Sequence, residues 1–461
     1  MSDSAKLVNG SITGHLIRQT APNVVGVAAL ISVGLVDAYF IGELGAAQLA
    51  AVSFIFPVTT ALASLGVGMM AAVGSVVSRA LGEGDLERAK ARGNLGIAVG
   101  IAAGLALGAL VFLLQQPLFS LLQAEGEVLS LIGEYMRPYA AVLPLLLVMM
   151  AINGVLRGQG AAKRSTAISL TFAVVNWILD PILIAGVFGF EGMGLSGAAW
   201  ATGAGWLAGV VLAFFLLPTG QIPFAPAKLR DADIGKGLKA IFRVAGPAAF
   251  SNSINPAGLA VLTALLAAEG QAAVAGFGAG GRLQTFAVVP LLALSGAIGA
   301  IVGQNWGAAR PDRARAAMLR SGTFCIGYGL LAGLALYFFR RPLAALFSDD
   351  PEVIAATMHY LEISVWGYGG YGVLIVANGA LNAIDRAPTA LVLSIARVLA
   401  VMLPVGWLAR SAFGSTGVYL GELASNTLGG LAAAVLVWFV LKGSSSKGEP
   451  GAVSAAAEPA G

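Results

Sequence analysis

From residue 20 to residue 441 the sequence is a succession of apolar runs, most of twenty residues or more, separated by short charged or Pro/Gly-rich breaks. A helix needs about twenty apolar residues to cross the hydrocarbon of a bilayer. In lipid every backbone N–H and C=O must be paired internally, which leaves only helices and closed barrels. Barrel strands would read as alternating segments of about ten residues. The runs here are continuous, so the chain is expected to be an all-α polytopic membrane protein. Composition agrees: of 461 residues 57% are hydrophobic and 11% charged, under half the roughly 25% charge of soluble domains. An ordinary water-soluble enzyme and any disordered or fibrous class are excluded.

Twelve runs are expected to span, at 20–41, 48–76, 94–115, 130–156, 165–188, 194–217, 241–267, 272–303, 319–339, 353–382, 388–409 and 416–441. Several exceed the minimum and should tilt or project into water. A net charge of +4 might suggest nucleic acid on a soluble protein. Here most of the 27 Lys and Arg fall in alternate loops, among them Arg79, Arg88, Lys90, Arg92, Arg157, Arg310, Arg313 and Arg386. The other side holds Arg137, Arg340, Arg341 and Arg410. The positive-inside rule explains this asymmetry and puts both termini in the cytoplasm, for a chain of a bacterial inner (plasma) membrane. The first run is too long for a cleavable signal, and the low-complexity tail 442–461 is expected to be disordered. Cys325 is the only cysteine, so no disulfide forms within the chain.

A shift of 225 residues superposes Pro22 on Pro247, Gly45 on Gly270, Gly82 on Gly307, Arg88 on Arg313, Pro117 on Pro342, Tyr135 on Tyr360, and Asn153-Gly154 on Asn378-Gly379. Each half then has six spans, and an even number preserves polarity. The halves are expected to form two pseudo-symmetric lobes about an axis along the membrane normal, a parallel repeat known in transporter folds. The expected domains are an N-lobe (1–217), a cytoplasmic linker (218–240) and a C-lobe (241–441). A substrate would sit in the cleft between the lobes.

Residues that break the repeat are the informative ones. Asp37 in the first span and Asp180 in the fifth have Leu262 and Val405 as their partners at the same shift. A mid-bilayer carboxylate costs about 2.5–3.5 kcal/mol on insertion scales, and the second lobe does without these two. Asn176 lies four residues before Asp180, on the same helix face. Pro181 removes a backbone hydrogen bond at that turn. Thr202 lies at a similar depth on the sixth span. Two carboxylates, an amide and a hydroxyl at one level could ligate Na⁺. Equally, crowding and desolvation could make a carboxyl there exchange protons. Pro22 is a candidate hinge in the first span.

The second lobe carries Arg282, Glu362, Arg397 and Glu422, of which Arg397 and Glu422 are expected to form an ion pair. GFGAGG (276–281) satisfies G-x-G-x-x-G but lies in an apolar span, where small residues serve close helix packing. His15 and His359 have no metal spacing, and no nucleotide-binding P-loop occurs. No cofactor, enzymatic activity or nucleic-acid partner is expected.

The sequence resembles the MATE (multidrug and toxic compound extrusion) family over nearly its whole length. The resemblance rests on SRALGEGDLERAK (78–90) with VGQNWGAARPDRARA (302–316), on NGVLRGQG (153–160) with NGALNAID (378–385), and on GLSGAAWAT (194–202) with GSTGVYLGE (414–422). It implies a V-shaped pair of six-helix lobes that exports organic cations and other amphiphiles in exchange for inward H⁺ or Na⁺. Asp37 and the NxxxD of Asn176 and Asp180 resemble the DinF-like branch, in which a hydroxyl on helix six (Thr202) and a tyrosine on helix four (Tyr135) join the coupling network. The acids of the NorM-like branch are missing: helix seven has none before Glu269, and the tenth-helix position is Tyr371.

The expected function is therefore secondary active multidrug efflux by alternating access, with the chain acting as a monomer on small organic cations or amphiphiles. Asn153, Tyr371 and Arg282 are candidates for the substrate cavity. The alternative is a flippase or exporter of a lipid-linked or other amphiphilic substrate, with Arg282 to meet its phosphate.

Overall fold

The computed structural model describes residues 5–187, 189, 191–229 and 233–443. Arg230 of the expected linker, and the expected disordered tail from residue 444 onward, lie outside the described residues.

Short polar caps and glycine turns set the helix boundaries. Ser11 opens α1 (Ile12–Leu44), its hydroxyl accepting from the Gly14 amide at 3.3 Å. Gly45, at φ 129°, turns the chain directly into α2 (Ala46–Gly82), a backbone region that glycine enters at little cost. Asp85 caps α3 (Leu86–Leu121), and α4 (Gly126–Gly158) and α5 (Ala162–Asp180) follow. A π turn, Pro181–Ala185, prolongs α5 before α6 (Gly194–Leu216). The second half repeats these devices. Asp233 caps α7 (Ile234–Ala267), and Gly270, at φ 111°, turns the chain into α8 (Gln271–Ala287) and α9 (Val289–Gly307). Then come α10 (Pro311–Phe338), the short α11 (Arg340–Ala344), α12 (Pro351–Ser364) and α13 (Tyr368–Ala383). Finally α14 (Ala387–Ile395) continues through a π segment, Ala396–Met402, into α15 (Leu403–Phe413), and α16 (Ser415–Gly443) ends the described chain.

Eleven of these helices are long and apolar enough to cross a bilayer, with α14 through α15 counted as one. The twelfth expected span, 353–382, is α12 and α13 joined by a single 3-10 turn, Val365–Gly367. Neither piece, of 14 and 16 residues, is long enough to cross alone. The eighth span also departs from an unbroken helix. It breaks at Val288, because Pro290 has no N–H to continue the hydrogen-bond ladder. The Tyr328 hydroxyl donates to the Ala287 carbonyl beside this break at 2.9 Å.

One side of the bundle gathers the basic loops. Leu7 N donates to Gln304 Oε1 at 3.0 Å, and Gln304 Nε2 to the Gly158 carbonyl at 2.9 Å. Arg315 reaches the Leu441 carbonyl at 2.8 Å, and Asp385 pairs with Arg79 at 3.7 Å and Arg243 at 3.2 Å. Between α6 and α7 the chain lies along this side against the first six spans: Gln221 N donates to Gln159 Oε1, Asn94 brackets Pro223 and Ala225, and Lys228 pairs with Glu87 at 2.8 Å. The opposite side carries Glu269–Arg410 at 2.7 Å and Arg340–Glu362 at 3.1 Å.

The internal repeat is visible in the packing. A Cβ on Gly154 would stand 2.6 Å from the Met70 carbonyl oxygen, and one on Gly379 2.6 Å from that of Ser295. Met70 and Ser295 are themselves one repeat apart, so the two lobes use the same close approach. The lobes meet on the basic side: Gly68 of α2 against Ala245 and Ala249 of α7, Ser75 Oγ on the Asn382 carbonyl at 2.8 Å, and Asn23 on the Ala293 carbonyl at 3.5 Å.

Candidate functional site

The structure brings Asp37, Asn176, Asp180 and Thr202 together from α1, α5 and α6. Asp180 is the last residue of regular α5. Proline at 181 withholds the next donor, and the helix widens into its π turn there, ending at Gly186 with φ 76°. Such bulges free backbone groups and redirect side chains. Asp180 and Asn176 are fully buried and Thr202 is 7% exposed. Asn176 Nδ2 donates to Thr202 Oγ1 at 3.5 Å, and Asp37 faces both Asp180 and Asn176.

The notable feature is what these groups lack. Asp37 Oδ1, Asn176 Oδ1 and both Asp180 oxygens are buried with no hydrogen-bond partner among the described residues. Buried acceptors are nearly always paired, and four unpaired oxygens in one cluster are open to a shared proton, a water or a cation. Oxygen donors of this kind suit hard cations. No group of three or more His, Cys, Asp or Glu that could hold a metal ion occurs among the described residues.

Tyr135 stacks on Tyr139 at 5.5 Å beside the two acids, with no hydrogen bond between its hydroxyl and either carboxylate. Tyr139 also lies beside Asp37 and meets Trp206 edge-on at 5.5 Å. Sequence reasoning passed over Tyr139, although its position one helical turn after Tyr135 was a usable signal. It also passed over Trp177, whose buried indole N–H has no partner among the described residues. At the corresponding place in the second lobe, Leu262 is fully buried and a Cβ on Gly406 would stand 3.2 Å from its side chain. Apolar packing there fills the room that the acids occupy in the first lobe.

The acids do not line the cavity between the lobes. That cavity, about 330 Å³, is walled by α1, α2, α4, α7, α9, α13, α14 and the π segment Ala396–Met402. Tyr371 lines it. Asn153 does not: its Oδ1 accepts from Ser165 Oγ at 2.7 Å, and Ser165 in turn accepts from Arg157 Nε at 3.0 Å. The residues of that motif that reach the cavity are Arg157 and Gly158. Arg282 is exposed and outside the lining, and Pro22 sits inside continuous α1, also outside it.

The expected Arg397–Glu422 ion pair is not formed. Arg397 bonds the side chains of Asn255 and Asn426 and lies over the Tyr371 ring, its guanidinium carbon 5.2 Å from the centroid. Glu422 instead accepts from Gln284 Nε2 at 2.7 Å and from the Tyr360 hydroxyl at 3.1 Å. Asn426 is one helical turn beyond Glu422, so the arginine meets the amide and the acid turns to α8 and α12.

Comparison with known proteins agrees with this architecture. The MatE family profile matches residues 22–182 and 247–408, two stretches that begin at the repeat-related Pro22 and Pro247. An FAD transporter of Shewanella oneidensis is 35% identical over 432 residues, covering 94% of this chain and 96% of its own. The multidrug export protein MepA of Staphylococcus aureus is 25% identical over 424 residues, covering 91% and 92%. Among solved structures, the bent form of the Vibrio cholerae MATE transporter VcmN superposes with a TM-score of 0.88 at 31% identity, covering 94% of this chain and 98% of that one.

Proposed function

The chain belongs to the MatE family of membrane transporters, and from that premise we propose that it is a secondary antiporter exporting amphipathic organic compounds in exchange for inward H⁺ or Na⁺. The relatives carry two substrate descriptions, FAD for one and multidrug export for another, and amphipathic organic compounds are the class that holds both. The observation that carries the coupling half is the cluster of four orphaned acceptor oxygens on Asp37, Asn176 and Asp180. One proton shared between the facing carboxylates would pair two of these oxygens and remove one negative charge, and one Na⁺ among them with Thr202 could take all four.

In this reading the basic side is cytoplasmic, as the positive-inside rule requires, and the membrane is a bacterial inner membrane. The lobe contacts on that side close the cavity from the cytoplasm, so the conformation faces outward. A cation entering from outside reaches Asp37 and Asp180, removes their mutual repulsion and alters the packing of α1 against α5. Pro22, lower on α1, is the proposed hinge. The lobes 1–217 and 241–441 rock about the linker 218–240 to expose the cavity alternately. Coupling requires the cation to bind the two facing states unequally. Tyr135 and Tyr139 wall the acids from lipid and shape the path to them.

The test is transport of fluorescent substrates into proteoliposomes under imposed H⁺ or Na⁺ gradients, for the wild type, Asp37→Asn and Asp180→Asn. The wild type is expected to respond to one gradient and both variants to lose that response. Gradient-driven transport undiminished in both variants would refute the coupling site.

A further inference from the structure

We infer that the cavity between the lobes selects anionic amphiphiles, organic phosphates above all, through Arg157 and Arg397. The inference deepens the transport reading and rests on it for the cavity being the substrate's path. Two guanidinium groups line this cavity, and its lining contains no Asp or Glu. Neither arginine has a carboxylate within ion-pair distance among the described residues. Arg157 spends Nε on Ser165 Oγ at 3.0 Å, and its two terminal nitrogens hold no hydrogen bond there. Arg397, 3% exposed, is braced by the neutral amides of Asn255 and Asn426 and by the face of Tyr371. The nearest acid, Glu422, gives one oxygen to Gln284 and the other to Tyr360.

Charges held within a membrane-spanning bundle are costly and are usually paired. Two cations on one cavity without an ion-pair partner among the described residues favour an anion there. Guanidinium groups present planar, fixed donors that match phosphate and carboxylate oxygens. An organic cation brought here would instead meet like charge, with no carboxylate to hold it. Between serines and asparagines the walls also hold an apolar part, Val27, Leu30, Val67, Met70, Leu292 and Ile375, available to an uncharged hydrocarbon or ring portion. Asn378 and Asn382 add buried side-chain carbonyls without partners among the described residues, suited to hydroxyl or amine donors on the same molecule. The cationic groups that meet a phosphate are thus Arg157 and Arg397, and the expected Arg282 lies elsewhere.

The test is equilibrium binding to the purified full-length protein in nanodiscs of neutral phosphatidylcholine, with FAD as the anionic probe and ethidium as the cationic one. The wild type is expected to bind FAD more tightly than ethidium. Arg157→Gln should weaken FAD binding at least about tenfold and leave ethidium binding unchanged or improved. Asn378→Asp adds a negative charge at constant volume without touching either arginine, and should shift selectivity the same way. Arg397→Lys keeps the charge and should lose less than Arg397→Gln. Competition of FAD by a short-chain phosphatidic acid would assign a lipid phosphate as the ligand, and its absence a soluble one; both support the anion site. Tighter binding of ethidium by the wild type, or equal weakening of both probes in the arginine and Asn378 variants, would overturn it. Binding needs no gradient. Arginine-dependent FAD binding without gradient-driven transport would refute the antiport alone, and Asp37-dependent export of ethidium without FAD binding would refute this inference alone.

Discussion

Gly82 on α2 and Gly307 on α9 stand one repeat apart in sequence and press on each other's helix across the pseudo-two-fold axis. A Cβ at Gly82 would lie 2.2 Å from the Gln304 carbonyl oxygen, and one at Gly307 2.3 Å from that of Arg79. Arg79 and Gln304 are themselves repeat partners, so the contact is reciprocal. It closes the basic side of the bundle with backbone against backbone.

Gly82→Ala or Gly307→Ala must therefore force α2 and α9 apart, at an overpacking cost of about 1–3 kcal/mol. The expected result is a population shift toward opening on the basic side. Thiol labelling of Ser78→Cys in a Cys325→Ala background measures it, and labelling should be faster in either alanine variant. An unchanged rate would mean that the glycine contact does not hold this side shut.

Asp385 links the lobes on the same side, pairing with Arg79 and Arg243 while holding φ at 64°. Both pairs are partly exposed, so each is worth about 0–1 kcal/mol. The backbone adds a separate effect, because a left-handed conformation costs most side chains about 1–2 kcal/mol and costs glycine little. Asp385→Ala is expected to melt lower than Asp385→Gly, although both lose the same ion pairs. Thermal unfolding in detergent decides it, and equal melting temperatures would remove the conformational contribution.

Glu422, Gln284 and Tyr360 close a ring of hydrogen bonds, the third side being Tyr360 to Gln284 Oε1 at 3.2 Å. The Tyr360 hydroxyl has one proton for two acceptors. Each oxygen in the ring therefore has a donor only when Glu422 carries a proton and donates it to the Tyr360 oxygen. Glu422→Gln reproduces that pattern and is expected to change stability by less than about 1 kcal/mol. Tyr360→Phe leaves a buried polar group unpaired, a loss of about 1–3 kcal/mol. A greater loss for Glu422→Gln than for Tyr360→Phe would contradict the ring.

Lys228 and Lys90 hydrogen-bond Glu87 and hold its carboxyl down at about 2, below the ordinary 4.5. A depressed carboxyl contributes its attraction above its ordinary value and loses it as pH falls through the lowered one. The anchoring of the inter-lobe chain by Lys228 should thus persist at mildly acidic pH and weaken as pH approaches about 2. A nitroxide at Ala225→Cys should gain mobility only in that acidic range or in high salt, since the site is exposed. In Glu87→Gln the mobility should already be raised at neutral pH.

Much of the fold was legible because the bilayer imposes local rules. Run length, loop charge and the 225-residue repeat need no knowledge of side-chain partners, and the family resemblance followed from short motifs near the loops. The two breaks that run length does not reveal have local causes read only in place: Pro290 interrupts the eighth span, and the turn Val365–Gly367 divides the tenth. Asp37 and Asp180 were recognisable from cost alone, as acids in apolar spans without counterparts in the other half.

The partners of the remaining polar residues were decided by the tertiary structure. In a soluble helix the apolar stripe reveals which face is buried, but lipid is as apolar as a helix interface. Each residue added to a helix turns the next side chain by about a quarter of a revolution, so the sequence leaves open which neighbour a polar residue meets. Asn153 therefore went to Ser165 while Arg157 took the cavity wall, and Arg397 met Asn426 one turn away from Glu422. The sequence by itself determined a doubled, twelve-span transporter with two unmatched acids. Helix rotation and lobe packing alone left those acids outside the cavity and put two arginines within it.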